Sequence, residues 1–223
     1  SKDYWRLVRA LTTVPAEVVV PAYPLAPVAT VDDVLPRLVD LAAVAATGEL
    51  PGTDGPLPTV LMGDSAGGAL VLSMARLLAD RGARPAAVVA LSPWLDAELR
   101  DEQVRDLEAS DPMLAESGLR AAGRWWAGPG RTTHDPLVSP MGLALDGLPP
   151  VDLFIGQRDI LRPAVDHLAD RAADSVVDLH VHEVAAMFHV WMTRAVPEGV
   201  RTRRELVEIV RRRAGVEAAL TRT

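Results

Sequence analysis

Ser65 stands in Gly63-Asp64-Ser65-Ala66-Gly67-Gly68, directly behind the short apolar run Thr59-Val60-Leu61-Met62. A serine with a glycine two residues before it and two after has the spacing of a nucleophile elbow. There a strand turns sharply into a helix and the hydroxyl is held out at the strand's end. The turn forces the serine into a crowded backbone region, and Gly63 and Gly67 are expected to clear the space around it. The opening amides of the helix, Ala66 with help from Gly67, are expected to offer N–H groups to an oxyanion. The chemistry this spacing allows is attack by a serine hydroxyl on a carbonyl carbon. The same spacing also arises as an ordinary tight strand–helix turn, so the flanks have to decide. Thr59 to Met62 reads as a buried parallel strand. Ala69, Leu70, Leu72, Ala75, Leu77 and Leu78 keep a helical apolar pattern up to Gly82, a C-cap.

A nucleophilic serine needs a base, and the base needs a group to orient it. Five histidines are available. His180 and His182 fall within one strand on the same side, outward if that strand lies at an edge, and read as surface residues. His167 lies on a helix with an exposed face, and His134 in a Thr-His-Asp-Pro turn. His189 follows the last strand, in Ala185-Ala186-Met187-Phe188-His189-Val190-Trp191, where a loop histidine can reach back over the sheet. Its alternative is a histidine packed between Phe188 and Trp191. Asp159 is the candidate orienting acid, in Gly156-Gln157-Arg158-Asp159 after the apolar run Val151 to Ile155. Loops at that edge of an open α/β sheet are where function collects. The alternative for Asp159 is a helix N-cap or an ion pair with Arg158 or Arg162. Asp64 is read as pointing away on the turn, and Asp96 and Asp135 as braces of Pro-rich loops.

The elements that would carry these residues alternate regularly. Helical patterns run over Tyr4 to Leu11, from Asp32 or Asp33 as cap through Ala46, and over Pro163 to Ala173 and Pro197 to Arg213. Strand patterns run over Glu17 to Val20, Thr59 to Met62, Ala86 to Leu91, Val151 to Ile155 and Val176 to Val184. Gly48 to Pro58 reads as a Gly/Pro loop. Glu98 to Gly128 carries charge and then tryptophans without a strand signal, and is expected to be a helical, irregular, cap-like insertion. Strands alternating with helices imply an α/β fold: a mostly parallel sheet with helices on both faces. In the basic stretch Arg201 to Arg213, Leu206, Ile209 and Val210 should turn inward and the arginines face water.

With 223 residues, 49% of them hydrophobic, the chain can bury one sizeable core and reads as a single domain over residues 1–223. A net charge of −7 argues against general nucleic-acid or anionic-membrane binding. Zero Cys excludes disulfides and thiolate metal sites, and fits a cytoplasmic location. No apolar stretch approaches a membrane span. The Gly-Asp-Ser-Gly-Gly run of trypsin-like proteases is superficially close. Those are all-β proteins with the His and Asp ahead of the Ser, and the helix after Ser65 and the lack of cysteine set them aside.

The order Ser65, Asp159, His189 is the chain order of α/β-hydrolases. The chain resembles their hormone-sensitive-lipase-like esterase and lipase branch through Tyr23-Pro24-Leu25-Ala26-Pro27, Gly63-Asp64-Ser65-Ala66-Gly67-Gly68, Leu91-Ser92-Pro93-Trp94, Asp135-Pro136-Leu137-Val138-Ser139-Pro140, Gly156-Gln157-Arg158-Asp159 and Met187-Phe188-His189. The resemblance implies Ser65 as nucleophile, His189 as general acid/base and Asp159 as its orienter. It also implies an acyl-enzyme mechanism on a small-molecule carboxylic ester of short-to-medium acyl or aryl type, with no metal or organic cofactor. Met113, Trp125, Trp126 and Met187 are candidates to line an acyl pocket; lid and core packing is their alternative. Thioesterase or peptidase activity would use the same triad, and a non-catalytic receptor on this fold is the reading from another class, against which His189 counts.

The family's Asp-Tyr-Arg-Leu-Ala-Pro-Glu run has Ala22, Pro24 and Val28 at three of its positions here. Its His-Gly-Gly-Gly motif, a source of oxyanion donors, has no match in residues 1–30, and the sequence opens on Ser1 without an initiator Met. The resemblance therefore implies an N-terminally incomplete hydrolase. Its sheet would lack the strand between Glu17–Val20 and Thr59–Met62, and it would turn over poorly alone.

Overall fold

Four apolar segments pair side by side as a parallel sheet in the order β1-β2-β3-β4. They are β1 (Val60–Asp64), β2 (Ala87–Leu91), β3 (Val151–Gly156) and β4 (Leu179–Val184). The computed structural model describes residues 2–50 and 55–216; of the expected Gly48–Pro58 loop, residues 51–54 lie outside them. Register runs Leu61 with Val88, Ala90 with Leu153, and Phe154 with His182. Because all four strands point the same way, the chain leaves each at the same edge of the sheet. That edge receives the residues after Asp64, Leu91, Gly156 and Val184.

Side chains alternate across a strand, and here each set meets its own layer of helices. On one face Val88, Ala90, Leu153 and Ile155 join a core with α2 (Val31–Thr47), α3 (Ala66–Asp80) and α6 (Arg162–Ala173). On the other, Val89, Leu91 and Phe154 pack with Leu7 of α1 (Lys2–Leu11), with Trp191 and Met192, and with Leu206 and Ile209 of α7 (Pro197–Arg213). β2 and β3 are buried along their whole length, as central strands covered on both faces must be. Val104 and Ala127 tie the remaining helices, α4 (Gln103–Glu108) and α5 (Glu116–Ala127), to the first core. These two short helices form the helical insertion expected around 98–128.

Three local expectations are corrected. The segment Glu17 to Val20 runs outside any strand ladder. A strand is defined by its partner, and among the described residues β1 is paired only with β2. Val19 and Val20 are accordingly exposed. The cap of α2 is Thr30, not Asp32 or Asp33. Asp33 sits three residues later and accepts hydrogen bonds from the Thr30 amide and hydroxyl, both at 2.8 Å. The backbone amide bond heads the causes that hold the Asp33 carboxyl below its ordinary range. Third, His180 and His182 share a face as expected, but it is the face that α7 covers. His182 stacks on Phe154 with ring centroids 4.3 Å apart and meets Glu205 of α7 at 3.0 Å. His180, nearer the strand's start, remains exposed beside Asp178.

Candidate active site

Ser65 bridges β1 and α3 with φ 53° and ψ −119°, a conformation rare for any residue but glycine. Its own hydrogen bonds hold it there. The Ser65 amide donates to the Leu91 carbonyl at 2.9 Å, and the Ser65 carbonyl accepts from the amides of Gly68 and Trp94, both at 3.0 Å. The glycines around it have unequal duties. A Cβ on Gly63 would lie 2.1 Å from the Gly67 carbonyl oxygen, and one on Gly68 would lie 2.7 Å from the Pro93 Cβ. A Cβ on Gly67 would meet nothing within 4 Å. Gly63 clears the turn as expected; Gly67 does not, and Gly68, where the helix crosses Pro93, takes that role. Among the described residues the amides of Ala66 and Gly67 carry no hydrogen bond, as the first donors of a helix ordinarily do not.

Asp159 and His189 arrive from the ends of β3 and β4. Asp159 is fully buried and accepts the Leu161 amide on Oδ1 and His189 Nδ1 on Oδ2, each at 3.0 Å. It pairs with neither neighbouring arginine. Arg158 reaches the Ser110 carbonyl, and Arg162 the Asp166 carboxylate. His189 is itself buried, and the residue after it, Val190, has φ 54°. Val190 donates its amide to Ser92 Oγ at 3.1 Å. Ser92, at the end of β2, is fully buried with φ 46°. The stretch Leu91-Ser92-Pro93-Trp94 therefore touches both sides of the site. Pro93 packs under Gly68, the Trp94 amide holds the Ser65 carbonyl, and Ser92 holds the residue beside His189.

Ser65 and His189 open together on a cavity of about 180 Å³, with Tyr4, Asp64, Met113 and Arg194 also in its wall. The other four histidines lie elsewhere. His134 meets Glu98, His167 meets Asp101, His180 meets Asp178, and His182 meets Asp152. Asp64, expected to point away, lines the cavity and accepts the Tyr4 hydroxyl at 2.5 Å. Burial, and then that carboxylate, push the Tyr4 hydroxyl upward in pKa, so it stays a protonated donor. Asp96 and Asp135 brace loops as read: Asp96 accepts the amides of Glu98 and Arg100, and Asp135 that of Leu137.

Of the four expected pocket residues, the structure puts Met113 on the cavity wall. Trp126 packs on the larger core, Met187 on the α7 side of the sheet, and Trp125 is exposed on α5. Tyr4, Arg194 and Ser92 went unassigned in the sequence. Ser92 and Tyr4 are polar residues at a strand end and on a helix stripe, and only the ladder and the α1 contact bring them to the site.

Residues 1–193 match the family model described as the alpha/beta hydrolase fold. The chain belongs to that family. It is similar to an acetyl-hydrolase of Streptomyces hygroscopicus, 34% identical over 145 residues that cover 63% of this chain and 48% of that protein. It is also similar to an esterase of Acinetobacter venetianus, 29% identical with the same coverage. The crystal structure of an esterase from the bacterial hormone-sensitive lipase family superposes with a TM-score of 0.79 at 31% identity, over 94% of this chain and 69% of that one. The branch inferred from the motifs is thus the one to which that esterase structure belongs. The chain spans about half the length of the curated relatives it matches. Among the described residues, no helix is long and apolar enough to cross a membrane.

Proposed function

We propose that this chain carries the catalytic site of a carboxylic-ester hydrolase that works through an acyl-serine intermediate. The observation behind this reading is the buried His189–Asp159 pair at 3.0 Å, whose histidine opens on the same cavity as a serine held at φ 53°. With Nδ1–H donating to Asp159, the neutral imidazole has its lone pair on Nε2. That nitrogen takes the Ser65 proton as Oγ attacks the ester carbonyl. The imidazolium formed is stabilised by the Asp159 carboxylate and returns the proton to the departing alkoxide. The tetrahedral oxyanion is held by the amides of Ala66 and Gly67 at the start of α3. Water, activated by the same His189, then attacks the acyl-serine, and Ser65 leaves as the carboxylic acid is released. By the chain's resemblance to its family the substrates proposed are small-molecule esters of short-to-medium acyl or aryl type, and the cavity of about 180 Å³ beside Ser65 is where their acyl end would enter.

Hydrolysis of p-nitrophenyl esters and labelling by a fluorophosphonate test the reading. Measured in the full-length protein, Ser65→Ala should abolish labelling and lower kcat by ~10⁶-fold, and Asp159→Ala by ~10⁴-fold. A Ser65→Ala protein that keeps most of its turnover would overturn the assignment.

A further inference from the structure

The turn that presents Asp159 is pinned from two sides by two different aspartates. Leu161 donates its amide inward to Asp159 Oδ1 at 3.0 Å. Ile160, between them, donates its amide outward to Asp111 Oδ2 at 3.0 Å. Asp111 belongs to the helical insertion, 49 residues away in sequence. The other oxygen of the same carboxylate accepts the amides of Met113 at 2.8 Å and Leu114 at 3.1 Å, closing the turn between α4 and α5. A second strap runs the opposite way: the Arg158 guanidinium donates from Nε and Nη2 to the Ser110 carbonyl at 3.1 and 2.6 Å. Residues 110–114 and 158–161 are thus locked together by hydrogen bonds on both sides of Asp159. Met113, one residue along from Pro112, is the part of this turn that stands in the cavity wall beside Ser65 and His189.

We propose that Asp111 is a positioning residue. One of its oxygens fixes the loop that aims Asp159 at His189, and the other fixes Met113 over the cavity, so the shape of the pocket and the alignment of the acid are set together. This rests on the hydrolase reading for its catalytic consequence, but not for its structural one. The carboxylate is required because three N–H donors converge on it from two elements. An amide of the same shape can serve only one side, since its NH₂ would face a donor at the other. Misplacing a catalytic group by about 1 Å can cost ~10²-fold in rate without touching the substrate.

The isosteric Asp111→Asn variant separates these roles from folding. With its carbonyl on Met113 and Leu114, it keeps the turn and breaks the link to Ile160. It should fold, keep a KM near the wild-type value and lose ~10–10²-fold in kcat. In the proton NMR spectrum the far-downfield resonance of a histidine Nδ1–H bonded to a carboxylate, assigned by its loss in His189→Gln, should broaden or vanish. Asp111→Ala frees Met113 as well. It should add a raised KM for short acyl esters and flatten the preference for acyl length. An Asp111→Asn protein with wild-type kcat and an unchanged downfield resonance overturns the proposal. So does one whose Tm falls while both of those readouts stay put, because that is the behaviour of a purely structural brace. If the wild type hydrolyses no ester and Ser65 resists the fluorophosphonate, the functional reading fails, and the resonance alone still decides whether Asp111 positions Asp159.

Discussion

Gly67 and Gly68 are adjacent and identical in type, yet the space around them differs. At Gly68 a methyl group would press on Pro93, 2.7 Å from its Cβ, in the stretch that also supports Ser65. At Gly67 it would enter open space in the first turn of a helix. Gly68→Ala should therefore cost about 1–3 kcal/mol through overpacking. Gly67→Ala should be neutral or stabilising by up to about 1 kcal/mol, since alanine restricts the unfolded chain more than glycine does. Urea unfolding of the two variants checks this; equal destabilisation would mean that both glycines clear the turn. The types and order of Ser65, Asp159 and His189 could be read from the sequence because each follows its own strand pattern. Ser92 and Asp111 could not. Ser92 meets Val190, 98 residues away, and Asp111 meets Ile160, 49 residues away, and nothing local marks which distant amide an oxygen will reach.

At the scale of elements, β3, β4 and α7 are joined by charge as well as by packing. Asp152 on β3 is fully buried and meets His182 of β4 at 2.9 Å and Arg213 of α7 at 3.2 Å. Arg213 also meets Asp178 at 2.8 Å. Burial opposes the Asp152 charge, but the His182 hydrogen bond and the Arg213 charge outweigh it and hold the carboxyl below its ordinary range. The hydrogen bond to Asp152, against desolvation and with Glu205 adding to it, raises His182 above the ordinary 6.5. A raised folded-state value means that the stabilisation from His182 is fully present below 6.5 and is lost as pH climbs through the folded value. The Tm gap between wild type and His182→Gln should thus be wide at about pH 5.5 and narrow by about pH 9. A gap that is flat across that range, or widens upward, would show that the imidazolium is not what holds α7 to the sheet. The sequence showed that His180 and His182 share a face. Which face α7 would cover was not legible, because alternation fixes sidedness only relative to a neighbour. The expected strand at Glu17 to Val20 failed for a related reason: β propensity describes a segment, whereas a ladder needs two.

Over the whole molecule, the alternation of strands and helices sufficed to give a parallel sheet covered on both faces and the edge where the loops gather, but not the order of its strands. It also put a strand at Glu17 to Val20 on the far side of β1, which the described four-stranded sheet does not contain. The proposed reacting groups come from three of the four strand ends, so Ser65 and His189 come to share one cavity only when β1 and β4, at opposite ends of the sheet order, are both in register with the strands between them. Contacts of that sequence separation close late and slowly, because loop entropy is lost before they form. The proposed site therefore also reports the order in which the sheet closes. When the protein is diluted from denaturant, helical circular dichroism should return first. Reactivity of Ser65 toward a fluorophosphonate should lag behind it and rise together with burial of Trp191, which packs just past His189. Labelling that returns in step with the helix signal would mean that the elbow reaches its reactive state before β4 docks, without needing the far side of the sheet.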